Sequence, residues 1–222
     1  MLHGVMTFRR QPAKSDTLVI ADSPRQTQAE RRETAERAIL EAAVTIVAEK
    51  GLEELTLNEC GELAGYSRAL PAHYFRTKSA LLEALADHIM AGYTERLRTA
   101  PMASEGLERL CDVIIFCIND AVDNPTAVKA YQTIIAGGLN RPELHPTVER
   151  MTRQSIDDLA GLIREGRTSG EIRADARPRA EAAIILASLR GVLFQWLISP
   201  DHVSLSRMRD TLVTNVRRML TA

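Results

Sequence analysis

Aromatic side chains are scarce in this chain, 4% of 222 residues, although 45% of the residues are hydrophobic. An apolar interior must therefore be built from Leu, Ile, Val and Ala, which favours helices. Gly and Pro are also few, 12 and 9, too sparse to punctuate the many short strands of an all-β fold. The cysteines number three (Cys60, Cys111, Cys117), lie in apolar surroundings and have no paired spacing. They argue against a disulfide framework and for small buried hydrophobes in a reducing compartment. An excess of one charge is missing too: Lys and Arg total 28 against 29 Asp and Glu, a formal charge of −1. Any case for nucleic acid must rest on where the charges sit. No uninterrupted apolar run reaches the roughly 18 residues of a membrane span. The start, MLHGVMTFRRQPAKSDTLVI, has no apolar run after its basic residues, so a signal peptide is not expected. These absences point to a soluble, cytoplasmic protein without a membrane partner.

Catalytic signatures are absent as well. There is no Gly-x-Ser-x-Gly elbow, phosphate-binding Walker loop, dinucleotide glycine pattern or His-Glu-x-x-His. His3, His73, His88, His145 and His202 are dispersed, with no Cys or carboxylate at metal-ligand spacing. No catalytic residue, metal or cofactor is expected, and the chain does not read as an enzyme.

What is present is a succession of helix signals, and the expected class is all-α. Residues 1–27 mix Pro12, Pro24, Ser15, Ser23 and scattered charges without period, and read as a flexible arm. Order is expected from Thr27, with Ile39, Ala43, Ile46 and Val47 at helical spacing and Gly51 as C-cap. Thr56 caps a short second helix, closed by Gly65. Ser67 is expected to cap a third, and Lys78 opens a fourth with Leu81, Leu82, Leu85 and Ile89 on one face. Pro101 marks the end of this module, so the division is an N-terminal three-to-four-helix unit, 28–95, and a C-terminal bundle, 96–222. In the second part Ser104 caps a helix to about Val122, and Asn124-Pro125 opens another that Gly137-Gly138 closes. Pro146 begins a long helix to Arg167, Pro178 to Leu197 form the next, and Ser204 caps the last.

Thr56 to Lys78 have the form of a helix-turn-helix: two short helices, a glycine at the turn, and outward polar side chains on the second. Leu57, Cys60 and Leu63-Ala64 are the expected buried face of the first helix, and Tyr66 the residue that plugs the turn. On the second, Leu70 and Tyr74 share a face, leaving Arg68, Ala69, Ala72 and His73 directed elsewhere. From Leu63 through Leu82 there is no acidic residue, while Arg68, Arg76 and Lys78 are basic. Contact with phosphates demands such a local absence of like charge.

Residues 31 to about 90 resemble the N-terminal domain of tetracycline-repressor-like (TetR) regulators. The resemblance rests on the spacing of Ala42, Ala43, Ala48 and Gly51, on Thr56-Leu57, on Ala64-Gly65-Tyr66-Ser67, and on His73-Tyr74-Phe75-x-x-Lys78. It implies a sequence-specific transcriptional regulator, in most cases a repressor relieved by a small-molecule effector, acting as a homodimer on a palindromic double-stranded DNA operator. By position, Tyr74 would touch a phosphate while Phe75 anchors the recognition helix. Lys78 would meet a phosphate with help from the helix dipole, and Thr56 would offer its hydroxyl and N–H to the backbone. Ser67 and Arg68 would reach backbone or base edges; an arginine can grip guanine O6 and N7. Two positions depart from the pattern: Ala72 stands where an aromatic is usual, and Pro71 where another residue is. The competing reading is a ligand-binding or interaction module of the same fold that has lost specific DNA binding.

The resemblance implies effector binding and dimerisation in the second half. AEAAIILASLRGVLFQWLI is apolar almost all round. A small-residue ridge (Ala183, Ala187, Gly191) and a bulkier one (Ile185, Leu189, Leu193, Trp196) give it two packing faces. Met208, Leu212 and Val216 on the last helix are expected to complete the interface between two subunits. Candidates for an effector pocket are Tyr93, Phe116, Tyr131, Met151 and Trp196, a set that points to an apolar effector.

Overall fold

The computed structural model describes residues 27–103 and 105–221. Among them are α1 (Gln28–Lys50), α2 (Leu57–Leu63), α3 (Pro71–Tyr74), α4 (Lys78–Thr99), α5 (Gly106–Asp123), α6 (Pro125–Gly137), α7 (His145–Ser169), α8 (Pro178–Ile198) and α9 (Leu205–Thr221), with no strand. The arm, residues 1–26, and the expected Ser104 cap lie outside the described residues.

The helix boundaries follow from local chemistry. Thr27 and Glu30 form a reciprocal capping box at the start of α1, and Gly51 ends it at φ +87°. Thr56 and Thr77 accept hydrogen bonds from the Glu59 and Ala80 N–H groups, capping α2 and α4. Prolines occupy the first turns of α3, α6, α7 and α8, where a missing N–H leaves no intrahelical bond unmade.

Two apolar cores form. The first joins Ile39, Ala43 and Ile46 of α1 to Cys60, Phe75 and, from α4, Leu81, Leu82 and Leu85. It continues past the expected division at residue 95 and takes in Ala130 and Ile134 of α6, Leu144, and Met151 of α7. The second is built by α5, α7, α8 and α9, with Ile114, Ile118, Ile163, Ile185, Leu189 and Val216 at its centre. By length and composition α8 as a whole is apolar enough to cross a membrane. Its Ile185, Leu189 and Leu193 are instead buried in that second core.

Leu212 and Val216 require a correction. They were expected on a subunit interface, and both are buried in the chain's own core, with Met208 packed against it. The reason is that α9 has a single apolar stripe, and α5 and α8 already cover it. Its remaining surface carries Ser206, Arg207, Asp210, Thr214 and Arg218, all exposed.

The junction between α6 and α1 makes a stability prediction. Ile134 is fully buried within the first core, so Ile134→Ala should cost about 2–5 kcal/mol, read by urea unfolding. A loss of under ~1 kcal/mol would show that α6 is not seated on the N-terminal helices as described.

Candidate nucleic-acid interface

The turn between α2 and α3 is set by glycine twice. Gly65, at φ +77°, adopts the left-handed conformation that closes α2. Its N–H reaches the Glu62 carbonyl at 3.1 Å, and the Tyr66 N–H reaches the Gly61 carbonyl at 2.8 Å, the paired bonds of a Schellman motif. Gly61 is buried where the second segment crosses. A Cβ there would lie 2.6 Å from the Ser67 carbonyl oxygen and 2.9 Å from Pro71 Cδ. The close crossing, not a plugging side chain, fixes the angle between the two helices.

Three local expectations therefore change. Leu63 is 55% exposed and Tyr66 37% exposed, whereas both were expected to be buried. At 100° per residue Leu63 lies roughly 110° from the centre of the stripe formed by Leu57, Cys60, Gly61 and Ala64, beyond its edge. Tyr66 contributes its backbone N–H to the motif and leaves its ring outside. Ser67 is not the N-cap of α3. Pro71 has no N–H to return to the Ser67 carbonyl, which accepts from Leu70 instead at 3.0 Å. The recognition segment thus opens as a tight turn over 68–70 and becomes α-helical only at Pro71.

The side chains emerging from this segment match the outward set. Ser67, Arg68, Ala69, Ala72 and His73 are exposed, Tyr74 is half-buried, and Phe75 is buried at 4%. Leu70 and Tyr74 pack against the first core. Thr56 is exposed at the start of α2. The Lys78 ammonium donates to the Glu53 carbonyl at 3.2 Å. Arg68 forms a two-point pair with Glu62, at 3.1 Å from Nε and 3.0 Å from Nη2. Glu62 raises its pKa first through that hydrogen bond and then through its charge.

Two contributors were missed from the sequence. Arg31 and Arg32, with Gln28, line a surface groove of about 430 Å³ with Leu70, His73 and Tyr74. The Arg32 guanidinium lies 5.7 Å from the Tyr74 ring centroid, a cation–π contact that orients the phenol. Their signal, a doubled arginine at the start of α1, is separated by some thirty residues from the acid-free stretch, and only folding brings the two together.

Of the effector-pocket candidates, Tyr93, Phe116 and Tyr131 lie around the Cys117 thiol, whereas Met151 and Trp196 belong to different cores. The Tyr93 and Phe116 ring centroids are 5.7 Å apart, and Tyr93 stands beside the Cys117 thiol. Tyr131 is held by Arg190 of α8 through its hydroxyl. Met151 is 2% exposed within the first core, and Trp196 packs against the second. Burial pushes the Cys60 and Cys117 thiols each up to about 11, so they stay protonated, in keeping with a packing role. On α8 the bulkier ridge faces inward, and the opposite face carries Ala187 with exposed Ile184, Phe194 and Ile198. A Cβ on Gly191 would meet nothing within 4 Å. No group of metal-binding side chains occurs among the described residues.

Comparison with known proteins agrees with this geometry. Residues 39–85 match the family described as bacterial regulatory proteins, tetR family, and residues 106–221 match the BetI-type transcriptional repressor, C-terminal family. The HTH-type transcriptional regulator SrpR of Pseudomonas putida is 24% identical over 179 residues, 80% of this chain and 82% of that protein. A Rhodococcus sp. protein assigned to the TetR family superposes with a TM-score of 0.73 at 24% identity, over 86% of this chain and all of the other. A Saccharomonospora viridis regulator solved with choline gives a TM-score of 0.71 at 18% identity, over 86% and 99% of the two chains.

The Gly61 crossing can be tested directly. Gly61→Ala should destabilise the protein by about 1–3 kcal/mol, since the new methyl meets backbone as well as the Pro71 ring. An unchanged thermal midpoint would contradict the close approach.

Proposed function

The chain belongs to the TetR family of bacterial regulatory proteins, DNA-binding transcriptional repressors, and from that premise we propose how this member reads and releases its operator. The observation that carries the proposal is the exposed set Ser67, Arg68, Ala69, Ala72 and His73 on a segment locked from behind by Gly61 and Phe75. Arg68 and Ser67 read base edges and backbone; Thr56, Tyr74 and Lys78 hold phosphates. Arg31 and Arg32 add positive charge beside the same groove.

The interface is prepared for exchange. Arg68 is held by Glu62 in the free protein, and a phosphate or guanine can take over the guanidinium. Both groups are well exposed, so the pair itself contributes little to stability. Its weight is on binding, because Glu62 keeps a negative charge beside the DNA.

Residues 28–95 form the DNA-binding unit and 96–222 the effector and dimer unit, and the shared first core couples them. Arg150 of α7 pairs with Asp87 of α4 at 2.8 Å. Arg141, after α6, pairs with Glu53, whose carbonyl accepts the Lys78 ammonium. A small molecule lodged among α4 to α8 would shift α6 and α7, and with them the spacing of the recognition helices. The subunits meet through the exposed stripe of α8, Ile184, Ala187, Gly191, Phe194 and Ile198, with Ala183 at its margin. Two recognition helices then face half-sites about one turn, ~34 Å, apart. The chemistry is binding, without catalysis, and the protein acts in the cytoplasm alongside its DNA.

Fluorescence anisotropy on operator and scrambled duplexes tests this reading. Lys78→Ala should weaken both duplexes to a similar degree, whereas Arg68→Ala should cost ~1–3 kcal/mol on the operator and relax specificity. Glu62→Gln should tighten binding several-fold. Equal binding of both duplexes by the wild-type protein would sink the reading in favour of a module without specific DNA binding. For the dimer, Phe194→Arg should give monomers in sedimentation velocity and a parallel loss of operator affinity; an unchanged dimer would move the interface elsewhere.

A further inference from the structure

In the larger half, Arg190 forms no ion pair among the described residues, and its guanidinium lies 5.7 Å from the centroid of the Tyr131 ring. Arg190, midway along α8, reaches across to α6 and α7. Its Nε and Nη2 both donate to the Tyr131 hydroxyl, at 3.2 and 2.8 Å, and its Nη1 donates to Thr152 Oγ1 at 3.1 Å. Among the described residues these two neutral oxygens are its side-chain hydrogen-bond partners. Burial raises the pKa of the Tyr131 phenol, outweighing the pull of Arg190, so the phenol does not ionise to balance the guanidinium.

The buried carboxylate of this region is already committed. Asp120, 5% exposed, receives Nε and Nη2 of Arg96 at 2.7 and 2.8 Å and the Asn124 amide at 2.8 Å. Arg96 and Asp120 pair with each other, which leaves Arg190 without a carboxylate partner among the described residues. A part-buried guanidinium is costly to leave without an anion. Moreover, the Nε/Nη2 edge is the fork that matches a carboxylate with two parallel hydrogen bonds. Here a single phenol oxygen occupies it.

We propose that the effector is an organic acid whose carboxylate takes this edge of Arg190 in place of the Tyr131 oxygen, with its apolar body lying toward Tyr93 and Phe116. The inference rests on the reading that the larger half houses the effector. It refines the expectation of an apolar effector by giving that molecule an anionic head. It also separates this chain from the regulator solved with choline, since a quaternary ammonium would be repelled at Arg190. The displaced Tyr131 hydroxyl is free to donate to the bound acid. The site is wired to the DNA side through its neighbours in sequence: Ala130 precedes Tyr131, Met151 precedes Thr152, and both are buried in the first core.

The test uses the full-length protein and matched acid and amide pairs, octanoate with octanamide and phenylacetate with phenylacetamide, with choline as the opposite charge. Thermal shift and calorimetry should show at least one acid bound tenfold or more tightly than its amide, and no stabilisation by choline. Arg190→Gln should remove that tenfold difference while leaving circular dichroism unchanged, and Arg190→Lys should retain part of it. The proposal is overturned if neither acid exceeds its amide, if choline stabilises more than the acids, or if Arg190→Gln binds the acid as the wild type does. Operator binding without ligand is measured in parallel. Its absence would count against the regulatory reading, whereas selective operator binding with no response to either acid would count against the organic acid alone.

Discussion

Burial of α6 against α1 is the contact on which the two halves depend. Ile134 and Ala130 complete a core that the N-terminal helices cannot close by themselves, and Leu144 and Met151 extend it into α7. A Cβ on Gly137 would collide with a Leu52 methyl, so the end of α6 sits directly on the loop that leads into the helix-turn-helix. Close-packed interiors transmit displacement because they have no slack to absorb it. The helices that surround Tyr131 and Thr152 are therefore the same helices that support the DNA-reading unit from behind.

Much of this was legible in the residues. Caps at Thr56 and Gly51 obey simple hydrogen-bond accounting, and prolines at helix starts mark themselves. The outward residues of the recognition segment could be deduced because Leu70, Tyr74 and Phe75 had to face inward. Of the small ridge of α8, Ala187 is exposed while Ala183 and Gly191 are half-buried, and α9 has only enough apolar surface for its own core, so Leu212 and Val216 lie inward. Leu63 and Tyr66 deceived because a hydrophobe beside a turn reads as buried unless its angle around the helix is worked out.

Other features have no local signature. Gly61 looks like any helix-weakening glycine until the chain crosses it. The Arg32 contact with Tyr74 joins residues far apart in sequence, and that Arg190 has no carboxylate partner among the described residues emerges only once Asp120 is seen to belong to Arg96. These are properties of what meets what, which periodicity does not encode.

Specific DNA recognition by a two-fold pair of recognition helices is the central claim. It is tested most directly by incubating the purified protein with a random pool of duplex DNA, then recovering and sequencing what it retains. The account predicts enrichment of one palindromic sequence whose half-sites lie about one helical turn apart, with affinity that falls as salt rises. Recovery of DNA with no shared sequence would contradict it.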